Sequence, residues 1–348
     1  MKVLHAIRSD GFAGVERHVA VLARAQVALG DEVTVVGGSH VRMAAALGDA
    51  GVQFVPGDTL PSVLTALARI GRFVDVVHAH MTAAEFACAS ASLMAPRGQA
   101  LVCTRHFGAR RGESRLGRLA SRFIASRLSE QIAISQYVAD RSGDDCVVIY
   151  PGVEAVPTPE LQRNSEVLVV QRLEPEKHTQ VAVDAFAASS LASNGWILRV
   201  VGDGSQRAML ETRVRELGLE GQVQFLGMRD NVTQLMLRAG LLIAPCPIEG
   251  LGLVVLEAMA AALPVCATTS AGHLETLTPE MLEYGFPPSG VEIAARSLDA
   301  LASDSALRNT LGKAGQVRQL EFFTPQTQAT RTRSVYEHAL SPANVRPT

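Results

Sequence analysis

Short β-branched runs alternate with longer Ala/Leu/Arg segments of helical period from one end of the chain to the other. This rhythm constrains the fold more than any other feature. A strand that is followed by a helix and then another strand returns the chain to its starting edge, so the strands lie parallel and the class is α/β. In the first half, strands are expected at Val3–Ile7, Val33–Val36, Gln53–Val55, Val74–His78, Ala100–Thr104, Gln131–Ile134 and Val147–Tyr150. Helices are expected over stretches such as Val15–Leu29 and Leu116–Leu128. The rhythm breaks at Pro151, Pro157 and Pro159, followed by polar Gln162–Ser165, and this reads as a connection between domains. A second series runs through Val167–Gln171, Ile197–Gly202, Val223–Leu226, Leu241–Ala244 and Pro264–Ala267. With 348 residues, 47% of them hydrophobic, the chain can fill two cores. The expectation is two doubly wound, Rossmann-like domains, 1–157 and 158–323, with ligands at the carboxyl ends of the strands and in a central cleft between the halves.

Charge and cysteine usage exclude several classes. Lys+Arg is 32 against 34 Asp+Glu, a net charge of -2, so no nucleic acid partner is expected. The five cysteines (88, 103, 146, 246, 266) form no C-x-x-C pair, which argues against a disulfide framework or a zinc cluster and for a reducing, cytoplasmic compartment. No window offers about 18 uninterrupted apolar residues, and Met1–Asp10 is too short an apolar run for a signal peptide, so no membrane crossing is expected.

The most informative segment runs from Pro247 to Pro264. Two glycines, Gly250 and Gly252, precede an apolar helix starting near Leu253. The free N–H groups of Leu251, Gly252 and Leu253 form a helix N-terminus suited to an anionic group, with Glu249 just before it. Glu257 lies inside the helix, where its neighbours Leu253, Val254, Ala260 and Ala261 cannot pair with a carboxylate, so it needs a tertiary cation or a ligand hydroxyl. After the strand Val167–Gln171 come Arg172 and Lys177, two cations able to neutralise a diphosphate, with Pro175 placed to start the next helix. Each pattern also suits plain pairing: Arg172 with Glu174, Lys177 with Glu176, Glu249 as a helix cap, Glu257 with a distant arginine.

Together these clusters resemble the donor domain of retaining glycosyltransferase family 4, a GT-B family. Glu249 and Glu257 match its E-x7-E signature, Arg172 and Lys177 its Arg-x4-Lys element, and Gly202-Asp203-Gly204 its glycine turn. Phe225–Gly227 and the stretch Ala271, Gly272, His273, Leu274, Glu275 also look like family landmarks. In the N-terminal half, Gly11–His18 is similar to the family's glycine-rich turn, with Gly14 matching the glycine whose backbone approaches the donor diphosphate. Ala13 stands where the family has a further glycine. His106, just after a strand, matches a histidine near the reacting sugar. The resemblance implies transfer of a sugar from a nucleotide-diphosphate sugar with retention, to an unidentified acceptor such as a cell-envelope lipid or glycan. It implies that Glu249 holds sugar hydroxyls, Glu257 the ribose, and Arg172, Lys177 and the helix N-terminus the departing diphosphate. A C-terminal helix, 324–340, is expected to cross back to the first domain. Two other classes fit tandem α/β domains: a non-catalytic sugar or nucleotide binding protein, and a nicotinamide-dependent oxidoreductase. The latter lacks its G-x-G-x-x-G, since Gln206 and Arg207 follow Gly204.

Neither a metal nor another cofactor is expected. His78 and His80 stand two apart without Asp or Cys companions, and one of them is expected in the core. The stretch 105–127 holds seven arginines (105, 110, 111, 115, 118, 122, 127) and one acid, Glu113. Arg111, Arg115, Arg118 and Arg122 step by four, three and four along one helical stripe, opposite Leu116, Leu119, Phe123 and Ile124. The stripe suits either a solvated face or peripheral contact with an anionic inner membrane face.

Overall fold

The computed structural model describes residues 1–96, 98–112, 115–157 and 163–341. Glu113 and 158–162 of the expected connection, which include the boundary placed at 158, lie outside the described residues. The chain divides into two compact units, Met1–Gly152 with Phe323–Thr348, and Val153–Phe322.

The first unit is built on seven parallel strands: β1 (Lys2–Ile7), β2 (Glu32–Val36), β3 (Gln53–Val55), β4 (Val76–His80), β5 (Ala100–Arg105), β6 (Glu130–Ala133) and β7 (Val147–Val148), in the order β3-β2-β1-β4-β5-β6-β7. Both faces are covered, which is why these strands read as apolar runs rather than alternating ones. On one face Val3, Ile7, Val33, Val35, Val76 and Val102 pack with the helix Gly14–Ala28 and with Val335, Tyr336 and Ala339 of the last helix, Pro325–Ala339. On the other, Leu4, Ala6, Val77, Ala79, Leu101 and Cys103 pack with Val63, Leu67, Ala84, Ala87 and Ile124. One strand is displaced from expectation. Val74 ends the short 3-10 turn Gly71–Phe73, so β4 runs two residues later than Val74–His78 and carries both His78 and His80. β7 is also shorter than the expected Val147–Tyr150.

The second unit holds five parallel strands: β8 (Glu166–Val170), β9 (Ile197–Val201), β10 (Val223–Gly227), β11 (Leu241–Ala244) and β12 (Val265–Ala267), in the order β10-β9-β8-β11-β12. Val167, Leu168, Leu198, Val200, Leu241 and Leu242 are fully buried between helical layers. Among the described residues no helix is long and apolar enough to cross a membrane.

The turn after β9 requires glycine. Gly202 sits at φ +130°, and a Cβ there would stand 1.9 Å from the Gln171 carbonyl oxygen at the end of β8. Gly202→Ala is therefore expected to destabilise the second unit by about 2 kcal/mol or more, read as a lower midpoint in urea with an unchanged slope. A wild-type midpoint would show that the two strand ends separate freely.

Candidate functional site

In an open parallel sheet, connections from neighbouring strands run to opposite faces where the strand order reverses, and a crevice opens at the carboxyl ends there. The second unit reverses between β8 and β11. The loops leaving those two strands carry Arg172 and Lys177 on one side and Glu249 on the other, so the switch point brings three of the expected residues together. Lys177 Nζ donates to Glu249 Oε2 at 2.6 Å, not to Glu176. Arg172 is largely exposed and pairs with Glu176 at 2.9 Å, not with Glu174, which instead accepts from the Ser205 hydroxyl at 2.6 Å. Pro175 begins a 3-10 turn, Pro175–Lys177, rather than the helix itself. His178 follows in the left-handed region at φ +51°, and the helix starts at Thr179. The extra turn matters because it ends at Lys177, whose carbonyl is held by Gln171 Nε2 at 3.0 Å.

The turn before the helix Leu253–Ala260 is clamped from beneath. Gly252 caps it at φ +95°, with the buried His273 ring so close that a Cβ on Gly252 would stand 2.8 Å from the ring. Gly272 donates its N–H to the Glu249 carbonyl at 3.0 Å and has room for no side chain, since a Cβ would lie 2.3 Å from Gly250 O. His273 bonds to Thr268 Oγ1 at 2.9 Å, and burial pushes its pKa down, so it supports the turn as a neutral ring. The sequence pointed to this histidine only as a landmark. Leu251 and Gly252 are buried and Leu253 half-buried, with first-turn N–H groups that have no intrahelical acceptor. Glu257 is half-buried on the same helix. Burial alone would raise the Glu249 pKa and lower that of Lys177. Their mutual attraction outweighs it and shifts both in favour of the charged pair.

The first unit reverses between β1 and β4. The loop after β1 leads through Gly11 to the helix Gly14–Ala28. Ala13 has φ -126°, an extended backbone open to any residue, and donates its N–H to Glu16 Oε2 at 2.8 Å, which accounts for alanine where the family has glycine. Alternation along β1, β4 and β5 sends His5, His78, His80 and Thr104 to the face under the helices Gly14–Ala28 and Pro325–Ala339, and His106 follows at the end of β5. With His18 from the first of those helices, five histidines are buried together. The expected lone pair at 78 and 80 thus belongs to a larger cluster, and both of its rings are inside. Its signal in the sequence was the period-two spacing that places His5 on β1 and His78 and His80 on β4 at inward positions, with His106 just past the end of β5.

The loop carrying His106 is pinned by its own cations. Arg105 donates to the Ala109 carbonyl, and Arg111 donates to Glu85, to Asp144 at 2.8 Å and to Gln131 at 2.7 Å. Arg111 is therefore not part of an exposed stripe, because a guanidinium this deep is held by the carboxylates facing it. Arg115, Arg118 and Arg122 are exposed on the helix Arg115–Arg127, but so are Leu116 and Leu119, leaving only Ile124 fully buried and Phe123 half-buried on the expected apolar side.

Residues 12–156 match the family model described as Glycosyltransferase Family 4, and residues 157–318 that of Glycosyl transferases group 1. Over 153 residues the chain is 34% identical to an exopolysaccharide phosphotransferase of Streptomyces coelicolor, covering 42% of this chain and 16% of that protein. Over 199 residues it is 29% identical to a glycogen synthase of Mycobacterium tuberculosis, covering 55% and 48%. The chain thus spans less than half the length of these two curated relatives. The architecture is shared with the crystal structure of HepE from Anabaena in complex with UDP and glucose, at a TM-score of 0.81 and 22% identity over 97% of this chain and 100% of that one.

Two expected outcomes follow from the ion pairs. Arg111→Gln leaves the Glu85 carboxylate buried without its main partner and is expected to lower stability by about 3–5 kcal/mol in urea unfolding; a loss below about 1 kcal/mol would show that the cluster is solvated. Lys177→Met is expected to cost about 1–2 kcal/mol at neutral pH. Because the folded-state pKa of Glu249 is depressed, its contribution is present above the unfolded carboxylate value and is lost as pH falls through the folded value. The gap between parent and Lys177→Met should therefore close on acidification, and a gap independent of pH would contradict the pairing.

Proposed function

We propose that this chain, which belongs to the GT-B glycosyltransferases of the group 1/family 4 type, transfers a hexosyl or related sugar from a nucleotide-diphosphate sugar to an acceptor with retention of configuration. The observation that carries this reading is the convergence, at the switch point of the second unit, of Arg172, Lys177, Glu249 and a glycine turn opening a helix N-terminus. Two cations beside free N–H groups suit a diphosphate, and a carboxylate beside them suits sugar hydroxyls. The UDP and glucose named for the Anabaena structure support the same donor chemistry.

On this reading Arg172 leaves Glu176, and it and Lys177 take the donor phosphates, with the N–H groups of Leu251, Gly252 and Leu253 beside them. Glu249 accepts from sugar hydroxyls and Glu257 from the ribose. In the first unit, Gly14 and His106 keep the roles that the resemblance implies, Gly14 toward a donor diphosphate and His106 toward a reacting sugar. The bond from the anomeric carbon to the phosphate oxygen breaks as the acceptor oxygen attacks the same face, and that oxygen's proton passes to the leaving phosphate. The cations and the helix N-terminus stabilise the charge that develops there. These residues carry the leaving-group charge by themselves, so transfer needs neither a divalent metal nor another cofactor. The acceptor is a cell-envelope lipid or glycan, presented at the cytoplasmic face of an anionic membrane. Arg115, Arg118 and Arg122 beside the exposed Leu116 and Leu119 support peripheral contact there, each arginine contributing about 1 kcal/mol near the surface.

A thermal-shift screen of UDP-, GDP- and ADP-sugars identifies the donor, since binding at about 100 times Kd adds about 2.7 kcal/mol. With that donor, Glu249→Ala or Arg172→Ala should lower kcat/KM by at least about 10²-fold in folded protein. Near-normal turnover in either variant would remove the assigned role, and loss of turnover in EDTA restored by magnesium or manganese would overturn the metal-free reading. Co-sedimentation should show binding to anionic but not neutral vesicles at low salt, reduced when Arg115, Arg118 and Arg122 become glutamine.

A further inference from the structure

In the core of the first unit the last helix, Pro325–Ala339, meets two imidazoles. The Tyr336 hydroxyl stands 2.6 Å from His78 Nδ1 and accepts from Gln26 Nε2 at 3.2 Å. With that donor in place the hydroxyl turns its own hydrogen to His78 Nδ1, and His78 Nε2 donates to Thr104 Oγ1 at 2.7 Å. Earlier on the same helix, Gln328 accepts the Gly152 N–H through Oε1 at 2.7 Å, which leaves its amide nitrogen facing His18 Nε2 at 3.2 Å. Both rings therefore act as acceptors toward the helix.

Behind these two rings the seam is built for neutral imidazoles. His5 Nε2 donates to Gln26 Oε1 at 2.7 Å. His5 Nδ1 meets His80 Nε2 at 3.0 Å, and His80 Nδ1 meets His106 Nε2 at 3.2 Å. A contact between two ring nitrogens holds one hydrogen, and a second would set N–H against N–H. The same is true where His18 Nε2 faces the Gln328 amide. At His78, a proton on Nδ1 would displace the hydroxyl hydrogen that Gln26 has aimed there. All five rings are buried, at 8% exposure or less, and neighbouring ring centroids lie 4.3 to 5.9 Å apart, so a charge on one ring is felt by the others.

Burial is the main cause that holds all five below the ordinary imidazole value, to about 4 at His5 and about 3 at His106, and well below it at His18, His78 and His80. Nearby charges offset little of this. Asp31 favours a proton on His5, but it already faces the Met1 amine at 2.9 Å and Arg333 at 3.5 Å, while Arg105 opposes a proton on His106. Glu16, buried on the helix Gly14–Ala28, accepts the Ala13 N–H. On the last helix Glu337 pairs with Arg333, and a charged His338 would attract Glu130 at 3.4 Å, but that contact is too exposed to weigh against five buried rings. Rings freed from the seam take protons near pH 6.5. The seam's contribution is therefore complete above that pH and is lost progressively as pH falls from there toward the folded values.

We propose that the histidine seam is an acid-sensitive latch, which holds the helix Pro325–Ala339 on the first unit near neutrality and releases it in mild acid while the second unit stays folded. The helix Gly14–Ala28 covers the same seam, but short connections, 8–13 and 29–31, tie it to β1 and β2, whereas the chain enters the last helix from Phe322 of the second unit. Each freed ring opposes reclosure about tenfold at pH 5.5. The two rings bonded to the helix thus weaken the latch about 10²-fold and all five about 10⁵-fold, against folding constants of about 10³–10⁸ for small domains. The second unit has His178, which is half-buried, and His273 as its buried imidazole, so the same effect there is about tenfold. The latch is independent of the function proposed above.

Hydrogen exchange of the whole chain, followed by mass spectrometry at about pH 7.5 and 5.5 and corrected for the intrinsic pH dependence of exchange, tests the latch region by region. Peptides from 325–339, β1, β4 and β5 should open about 10²-fold more at the lower pH and recover on return to the higher one, while those from β8, β9 and β11 change about tenfold or less. Unchanged protection of 325–339, or equal loss in both units, would overturn the proposal. ¹⁵N-labelled histidine gives a second readout that needs no substitution. His18 and His78 should stay neutral until the bound-state resonances of 325–339 disappear, and become charged in that same step. Either ring charging while the helix remains bound would overturn it. His78→Gln removes one titrating ring and keeps an amide oxygen for Tyr336, so its plot of log opening against pH should be shallower than the parent's by about one between about pH 5 and 6. An unchanged slope would remove His78 from the latch, and if the variant does not fold, the ¹⁵N readout decides.

Discussion

A parallel sheet covered on both faces leaves little place for polar chemistry except its ends, and the rest of this structure depends on that constraint. Burial on two sides makes the strands apolar and commits their main-chain groups to the ladder. Where the strand order reverses, the helical covers diverge and main-chain and side-chain polar groups meet water or a ligand. Each unit has one such place. In the second, the loops after β8 and β11 converge on the Lys177–Glu249 pair. In the first, the loops after β1, β4 and β5 converge on histidines.

The two places solve the electrostatic problem differently. At the second unit's switch point charge is retained, because Lys177 and Glu249 are only partly buried and each offsets the desolvation of the other. At the first, burial is complete and the polar groups stay neutral, so stability comes from giving almost every ring nitrogen a hydrogen-bond partner. A little further along, Arg111 combines the two solutions, a charge kept in the interior by carboxylates on both sides.

Much of this was legible in the sequence, and the parts that were not share a cause. Strand positions followed from apolar runs, and the glycine turn with Glu249, Arg172 and Lys177 followed from residue type and spacing. Partner choice did not, because it is decided across the fold: Lys177 reaches a residue 72 positions away in preference to its neighbour Glu176. The histidine cluster was hidden for the same reason. His5, His18, His80 and His106 look like isolated residues along the chain, and only the register between β1, β4 and β5 brings them into contact. Arg111 fitted a helical stripe by its spacing, yet it precedes the helix Arg115–Arg127 and turns inward toward Glu85.

The last helix has a consequence for how the chain acquires its shape during synthesis. Tyr336 is among the largest fully buried side chains, bonded to His78 at 2.6 Å and to Gln26, and Val335 and Ala339 lie in the same core. Residues 1–152 therefore lack part of the cover for one face of their own sheet until the helix Pro325–Ala339 is made. The second unit is contiguous in sequence and can close as soon as it emerges, whereas the first waits for residues translated after it. The histidine seam thus becomes dry, and its rings reach their neutral, hydrogen-bonded state, only after the helix Pro325–Ala339 has been made.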